Sequence, residues 1–276
     1  MAKYWAPGTV KTRLAAAIGE TPAAKIHRIF VLHLLGEMAE LTCGSAVSND
    51  ERDGQSPAES SHDRHVYCLV APDDSADEMR RTWELSRPES LETIRPPAWD
   101  SPAEIRFIGQ GPGDLTRRLG AWFQSRDVSP GIARVVIGTD LPTLSPRMIE
   151  ESAALLAQHD AVLGPAADGG YYLLGLSSDA LNRTEAATAL FEGIDWSTPA
   201  VAGQTRDRMR QLGLSWAELP IDEDIDDVDC LRRLISKLQS SPPSDELVPH
   251  GRRLLNYILD AIPRDLRHLI VVPSWR

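Results

Sequence analysis

Two aspartates open the chemistry of this chain. Both lie in one stretch, residues 133–176, ARVVIGTDLPTLSPRMIEESAALLAQHDAVLGPAADGGYYLLGL. Asp140 follows a β-branched run and stands where that strand should stop, a place from which a carboxylate can hold Mg²⁺ or Mn²⁺ against a nucleotide diphosphate. The same residues also suit an Asx turn ahead of Pro142. Asp168 opens Asp168-Gly169-Gly170, which reads equally as a hairpin turn and as a backbone that a ligand can approach closely, with Tyr171 and Tyr172 as a stacking surface. A third group is the acidic run 222–229, DEDIDDVD. Capping and first-turn acids explain part of it. Its density adds repulsion that a divalent metal shared with Asp140 would relieve.

The cations are few and clustered. Of four lysines, Lys3 and Lys11 fall within the first eleven residues. Pro7-Gly8 makes a turn, and Lys11-Thr12-Arg13 then leads into an Ala-rich helix, so Gly8, Lys11 and Arg13 form a candidate phosphate-binding loop. A second glycine loop, Gly109-Gln110-Gly111-Pro112-Gly113-Asp114, follows a strand and precedes a helix. Its spacing misses the dinucleotide fingerprint; Gln110 and Asp114 are candidate nucleotide-binding residues, and Asp114 also reads as an N-cap. The histidines are scattered without HExxH, and no serine sits in GxSxG, so zinc hydrolysis and serine hydrolysis gain no support.

These residues need a scaffold, and the order of elements supplies one. His65–Ala71, Ile105–Ile108, Ala133–Gly138, Ala161–Leu163, Gly170–Leu176 and Leu214–Leu219 read as strands, with helical segments between most of them. Ser145-Pro146 opens one helix as N-cap and first-turn proline. The pattern predicts a three-layer α/β/α domain with a mostly parallel sheet, over residues 1–239, with ligands beyond the carboxyl ends of the strands. Residues 45–64 read as a mobile polar insertion. Residues 240–276 read as a linker and a helical tail.

A formal net charge of −11 argues against nucleic acid as a partner, because that binding is driven by Lys and Arg against phosphate. Three cysteines, Cys43, Cys68 and Cys230, lie far apart without CxxC, and neither a signal-like apolar region nor a membrane-length apolar run is present. A cytoplasmic setting fits these features, and the sequence leaves the oligomeric state open.

Taken together, AKYWAPGTVKTRL, QGPGDLTRRL, VVIGTDLPTL, VLGPAADGGYYLLGL, IDWSTPAV and DIDDVDCL resemble the DUF2064 family of GT-A-like glycosyltransferases, related to nucleotidyltransferases. The resemblance runs from about residue 2 to 238. It implies a GT-A fold in which Asp140 of GTDLP binds metal. Asp226 matches a second metal ligand in a DxDTPEDL-like motif, although Asp227, Val228 and Cys230 replace the usual residues around it. Lys11 and Arg13 match a KTRL phosphate loop, and Asp168 a DGGYY motif on the acceptor side. The family has a strand ahead of AKY, so the expectation is a truncated first strand and a native protein longer by several apolar residues. The implied reaction is metal-dependent glycosyl transfer from a nucleotide-diphosphate sugar to a small-molecule acceptor. Nucleotidyl transfer with pyrophosphate release, and an inactive nucleotide-binding protein on the same fold, are the alternatives.

Overall fold

The computed structural model describes residues 1–43, 64–86, 105–126, 131–240 and 248–270. The segment read as an insertion lies outside them, apart from Arg64. Three parallel strands come first: β1 (Ala2–Lys3), β2 (Val66–Ala71) and β3 (Ile105–Gly109), in the order β1-β2-β3. Four more follow: β4 (Arg134–Ile137), β5 (Ala161–Pro165), β6 (Tyr171–Leu176) and β7 (Trp216–Glu218), in the order β4-β6-β5-β7. Here β6 is antiparallel to β4 and β5, whereas β5 and β7 are parallel. The Met1 amine donates to the Ile137 carbonyl at 2.5 Å, so β1 meets β4 at the seam between the two groups. The first strand is two residues long and pairs with Val70 and Ala71 at the end of β2.

Strand alternation builds the layers. Ala161 and Leu163 of β5, with Leu174 and Leu176 of β6, pack against α4 (Leu115–Gln124), α7 (Thr184–Ala189) and α8 (Val201–Gln211). Val162 and Leu173, one residue out of phase, face the opposite side. There they meet α2 (Glu20–Cys43) and α5 (Pro146–Leu156). Helix α3 (Ala76–Ser86) joins this side, with Met79 and Trp83 buried against Val31 and Leu35 of α2.

A further apolar cluster lies along α2. It gathers Leu14 and Ile18 of α1 (Thr12–Ile18), Phe30, then Leu231, Leu234 and Ile235 of α9 (Val228–Ser240), and Leu254 and Ile258 of α10 (Val248–Ala261). The C-terminal helix is thus packed into the same core as the first helix. Leu14 matters most for the site, because α1 has only seven residues and carries Lys11 at its start. Leu14 is fully buried. Leu14→Ala should destabilise the protein by about 2–5 kcal/mol through lost burial and a cavity. Urea unfolding checks this, and a loss under about 1 kcal/mol would show that α1 is held by something else.

Candidate active site

The strand-end reading of Asp140 places it just beyond β4, in a loop anchored by the buried side chains of Leu141 and Leu144. Ser145 caps α5 by accepting from the Met148 amide, with Pro146 in the first turn, so the loop is fixed at both ends. The Ile225 amide donates to the Asp140 carbonyl at 2.9 Å, and Ile225 itself is buried. That bond brings the acidic run to the strand end.

The fold sorts the acids of the run by task. Asp227 accepts from the amides of Asp229 and Cys230 at 2.9 and 2.8 Å and so caps α9; these bonds pull its carboxyl below the ordinary range. Glu223 pairs with Arg233 at 2.6–2.8 Å, and this guanidinium holds the Glu223 carboxyl low. Asp229 pairs with Arg232. Asp226 and Asp224 face Asp140 instead.

Between Asp140 and Asp226 sits Lys11. Its ammonium contacts Asp140 Oδ1 and lies 3.3 Å from Asp226 Oδ1, with its side chain 2% exposed while the two carboxylates are 43% and 39% exposed. The Phe30 ring lies beneath, 5.8 Å from Nζ to its centroid. Lys11 reaches this position from a left-handed backbone, φ 49°, ahead of α1.

Two neighbours complete the cluster: Asp224, which the sequence marked only as one acid of the 222–229 run, and His27, which had no signal there. Asp224 has its carboxyl pushed up to about 7, first by burial and then by Asp140, Asp168 and Asp226, against which Lys11 pulls down. His27, buried on α2, places Nδ1 3.9 Å from Asp140 Oδ1 and Nε2 2.9 Å from the Lys3 carbonyl. A carbonyl only accepts, so Nε2 carries the proton and Nδ1 presents a lone pair toward the site. Burial lowers the His27 pKa more than Asp140 raises it, and the ring is neutral.

Asp168 is exposed, and its Oδ1 accepts from the Gly170 amide at 2.8 Å. The Ala167 amide donates to the Asp222 carbonyl, tying this turn to the acidic run. Gly169 has φ 91° and packs so tightly on Pro199 that a Cβ there would overlap the Pro199 backbone. Tyr171 and Tyr172 are turned inward: the Tyr172 hydroxyl donates to the Pro220 carbonyl at 2.9 Å, and Tyr171 packs edge-on against Trp196. Their rings are taken up by packing, because alternation along β6 sends Tyr171 into the α4, α7 and α8 layer and Tyr172 into the α2 and α5 layer.

Of the phosphate-loop candidates, Arg13 is exposed and forms no ion pair with a described residue. Gly8 is exposed at φ 78°, with the Glu20 carboxylate 3.3 Å from where a Cβ would stand. Gln110 sits at the carboxyl edge of the sheet, but its amide donates to the Ala2 and Leu69 carbonyls at 3.0 Å, stitching β1 and β2. Asp114 caps α4 by accepting from the Arg117 amide at 3.0 Å. Lys11, Asp140, Asp226, Asp224 and Asp168 therefore form the charged cluster, while Gln110 and Asp114 hold its frame.

The family model of DUF2064, uncharacterised proteins conserved in bacteria, matches residues 61–198, which is half of the chain. The chain belongs to the DUF2064 family. A solved structure from Desulfovibrio desulfuricans G20, named "putative nucleotide-diphospho-sugar transferase", is similar to this DUF2064 chain with a TM-score of 0.66 at 24% identity. The similarity covers 94% of this chain and 95% of that one, and it shows the shared fold. No curated protein matches the sequence. Among the described residues, no helix is long and apolar enough to cross a membrane.

Two outcomes follow from this geometry. Asp224 holds its proton in the fold up to about pH 7, whereas an unfolded aspartate releases it near pH 3.9. Between those values the folded state binds more protons, so this group's contribution to stability declines as pH rises. Asp224→Asn should therefore gain in Tm relative to the parent protein from about pH 5 to about pH 8 in metal-free buffer; parallel Tm curves would contradict the assignment. Gly169→Ala should cost about 2 kcal/mol or more, through strain at positive φ and the clash with Pro199, measured by chemical denaturation.

Proposed function

We propose that this chain is a metal-dependent transferase that moves a glycosyl group from a nucleotide-diphosphate sugar to a small-molecule acceptor. The observation that carries the reading is the meeting of Asp140 and Asp226, far apart in sequence, on one cation at the sheet's carboxyl edge. The name of the D. desulfuricans neighbour supports glycosyl transfer over other uses of this fold. The donor set suits Mg²⁺ or Mn²⁺: the carboxylate oxygens of Asp140 and Asp226, both open to solvent. Among the described residues no three ligands already converge as a metal cluster, and Lys11 takes the place between Asp140 and Asp226.

In this scheme Asp140 and Asp226 hold the cation. When bound, it stabilises negative charge developing on the leaving diphosphate. Arg13 and Lys11 bind the diphosphate oxygens, Arg13 from the exposed face and Lys11 from within the cluster. Asp168, exposed on its glycine turn, orients or deprotonates the acceptor hydroxyl. Gly169 fixes where that turn stands by packing on Pro199.

A thermal-shift screen of nucleotides and nucleotide sugars with Mn²⁺ is the first test, because a ligand that binds only the folded state raises Tm. A stabilising nucleotide sugar should then be turned over without pyrophosphate appearing; pyrophosphate released from a nucleoside triphosphate would move the reading to nucleotidyl transfer. Asp140→Asn should lower turnover about 10²–10³-fold while leaving the fold intact, and full activity in that variant would sink the scheme.

A further inference from the structure

We propose that Lys11 is a built-in counter-ion that competes with the divalent cation: its ammonium occupies the Asp140–Asp226 pair before substrate arrives and leaves it for the donor's diphosphate afterwards. This rests on the metal-dependent reading above and adds to it an order of events.

The two cations exclude each other on steric grounds. One ammonium touches Asp140 Oδ1 and lies 3.3 Å from Asp226 Oδ1. A Mg²⁺ ion would hold the same oxygens at about 2.0–2.1 Å, inside the volume that Nζ now fills. Nothing has to unfold for the exchange, since the ammonium is a point charge on a four-carbon stem that turns easily, while Asp140 and Asp226 are half open to solvent.

Electrostatics gives the exchange a direction. Lys11 brings one positive charge to the two carboxylates of Asp140 and Asp226. A divalent ion neutralises the carboxylates better, but removing the ammonium to bare water from a 2%-exposed position forfeits its ion pairs. A diphosphate supplies the replacement anion. Metal and nucleotide therefore bind as a pair, and the protein alone holds metal weakly. An ordinary structural ion pair makes the opposite prediction: without Lys11 the two carboxylates would repel and separate, and metal binding would weaken.

Mn²⁺ titration of the full chain, followed by the electron paramagnetic resonance of the free ion and without nucleotide, separates the two. Lys11→Ala and Lys11→Gly should each bind Mn²⁺ about tenfold more tightly than the parent. Lys11→Gly suits the positive φ at this position and carries the measurement if the alanine variant does not fold. Adding UDP or GDP should tighten Mn²⁺ binding in the parent protein and do so less in the variants. Unchanged or weaker Mn²⁺ binding in a folded Lys11 variant, beside tight binding by the parent with nucleotide, would overturn the exchange and leave the metal reading standing. If Mn²⁺ binds neither protein under any condition, and Asp140→Asn changes nothing, both fall.

Discussion

The site depends on one electrostatic constraint: several carboxylates gathered at a single sheet edge, in a chain of net charge −11, have to be held together by something positive. Lys11 supplies it from within, and much of the surrounding structure serves its placement. The cluster of α1, α2, α9 and α10 fixes the helix that follows Lys11, with Leu14 and Phe30 buried beneath. The hydrogen bond from Ile225 to the Asp140 carbonyl brings the second carboxylate within reach. These are backbone and core arrangements, so the separation of Asp140 from Asp226 does not rely on the side chains that would react.

His27 shows how narrowly the charge is assigned. A histidine beside a carboxylate could have been a second cation, but its burial keeps it neutral against the opposing pull of Asp140 and of the Lys3 carbonyl. Asp224 answers the same field from the other sign, retaining a proton where an exposed aspartate would not. A site in which one acid stays neutral is poised to take up positive charge, and a hard cation or a cationic acceptor group would each find a carboxyl ready to ionise.

Much of this was legible from local pattern. The β-branched run ending on Asp140, the Ser145-Pro146 helix start and the Asp114 cap are written in neighbouring residues, and the fold follows them. The layer order was legible as well, because strand and helix periodicities alternate along the chain. Contacts between distant segments were not. Nothing local says that Lys11 reaches residues 129 and 215 positions away, or that His27 in a mostly apolar helix faces Asp140. The Tyr171-Tyr172 pair misled for a related reason: aromatic residues beside a glycine turn suit a binding face, and only the helices packed on both faces of β6 show that they are taken up by the core. The terminal helix likewise reads as a tail until its leucines and isoleucines are seen against α2.

The contact between Gly169 and Pro199 joins two loops that lie thirty residues apart, and the Gly169 carbonyl also accepts from the Ala202 amide at 2.8 Å. The turn carrying Asp168 is therefore one half of a composite surface whose other half begins at Asp195. The two segments form a single structural unit, and moving either alone into a relative of this fold would import a loop without the partner that shapes it.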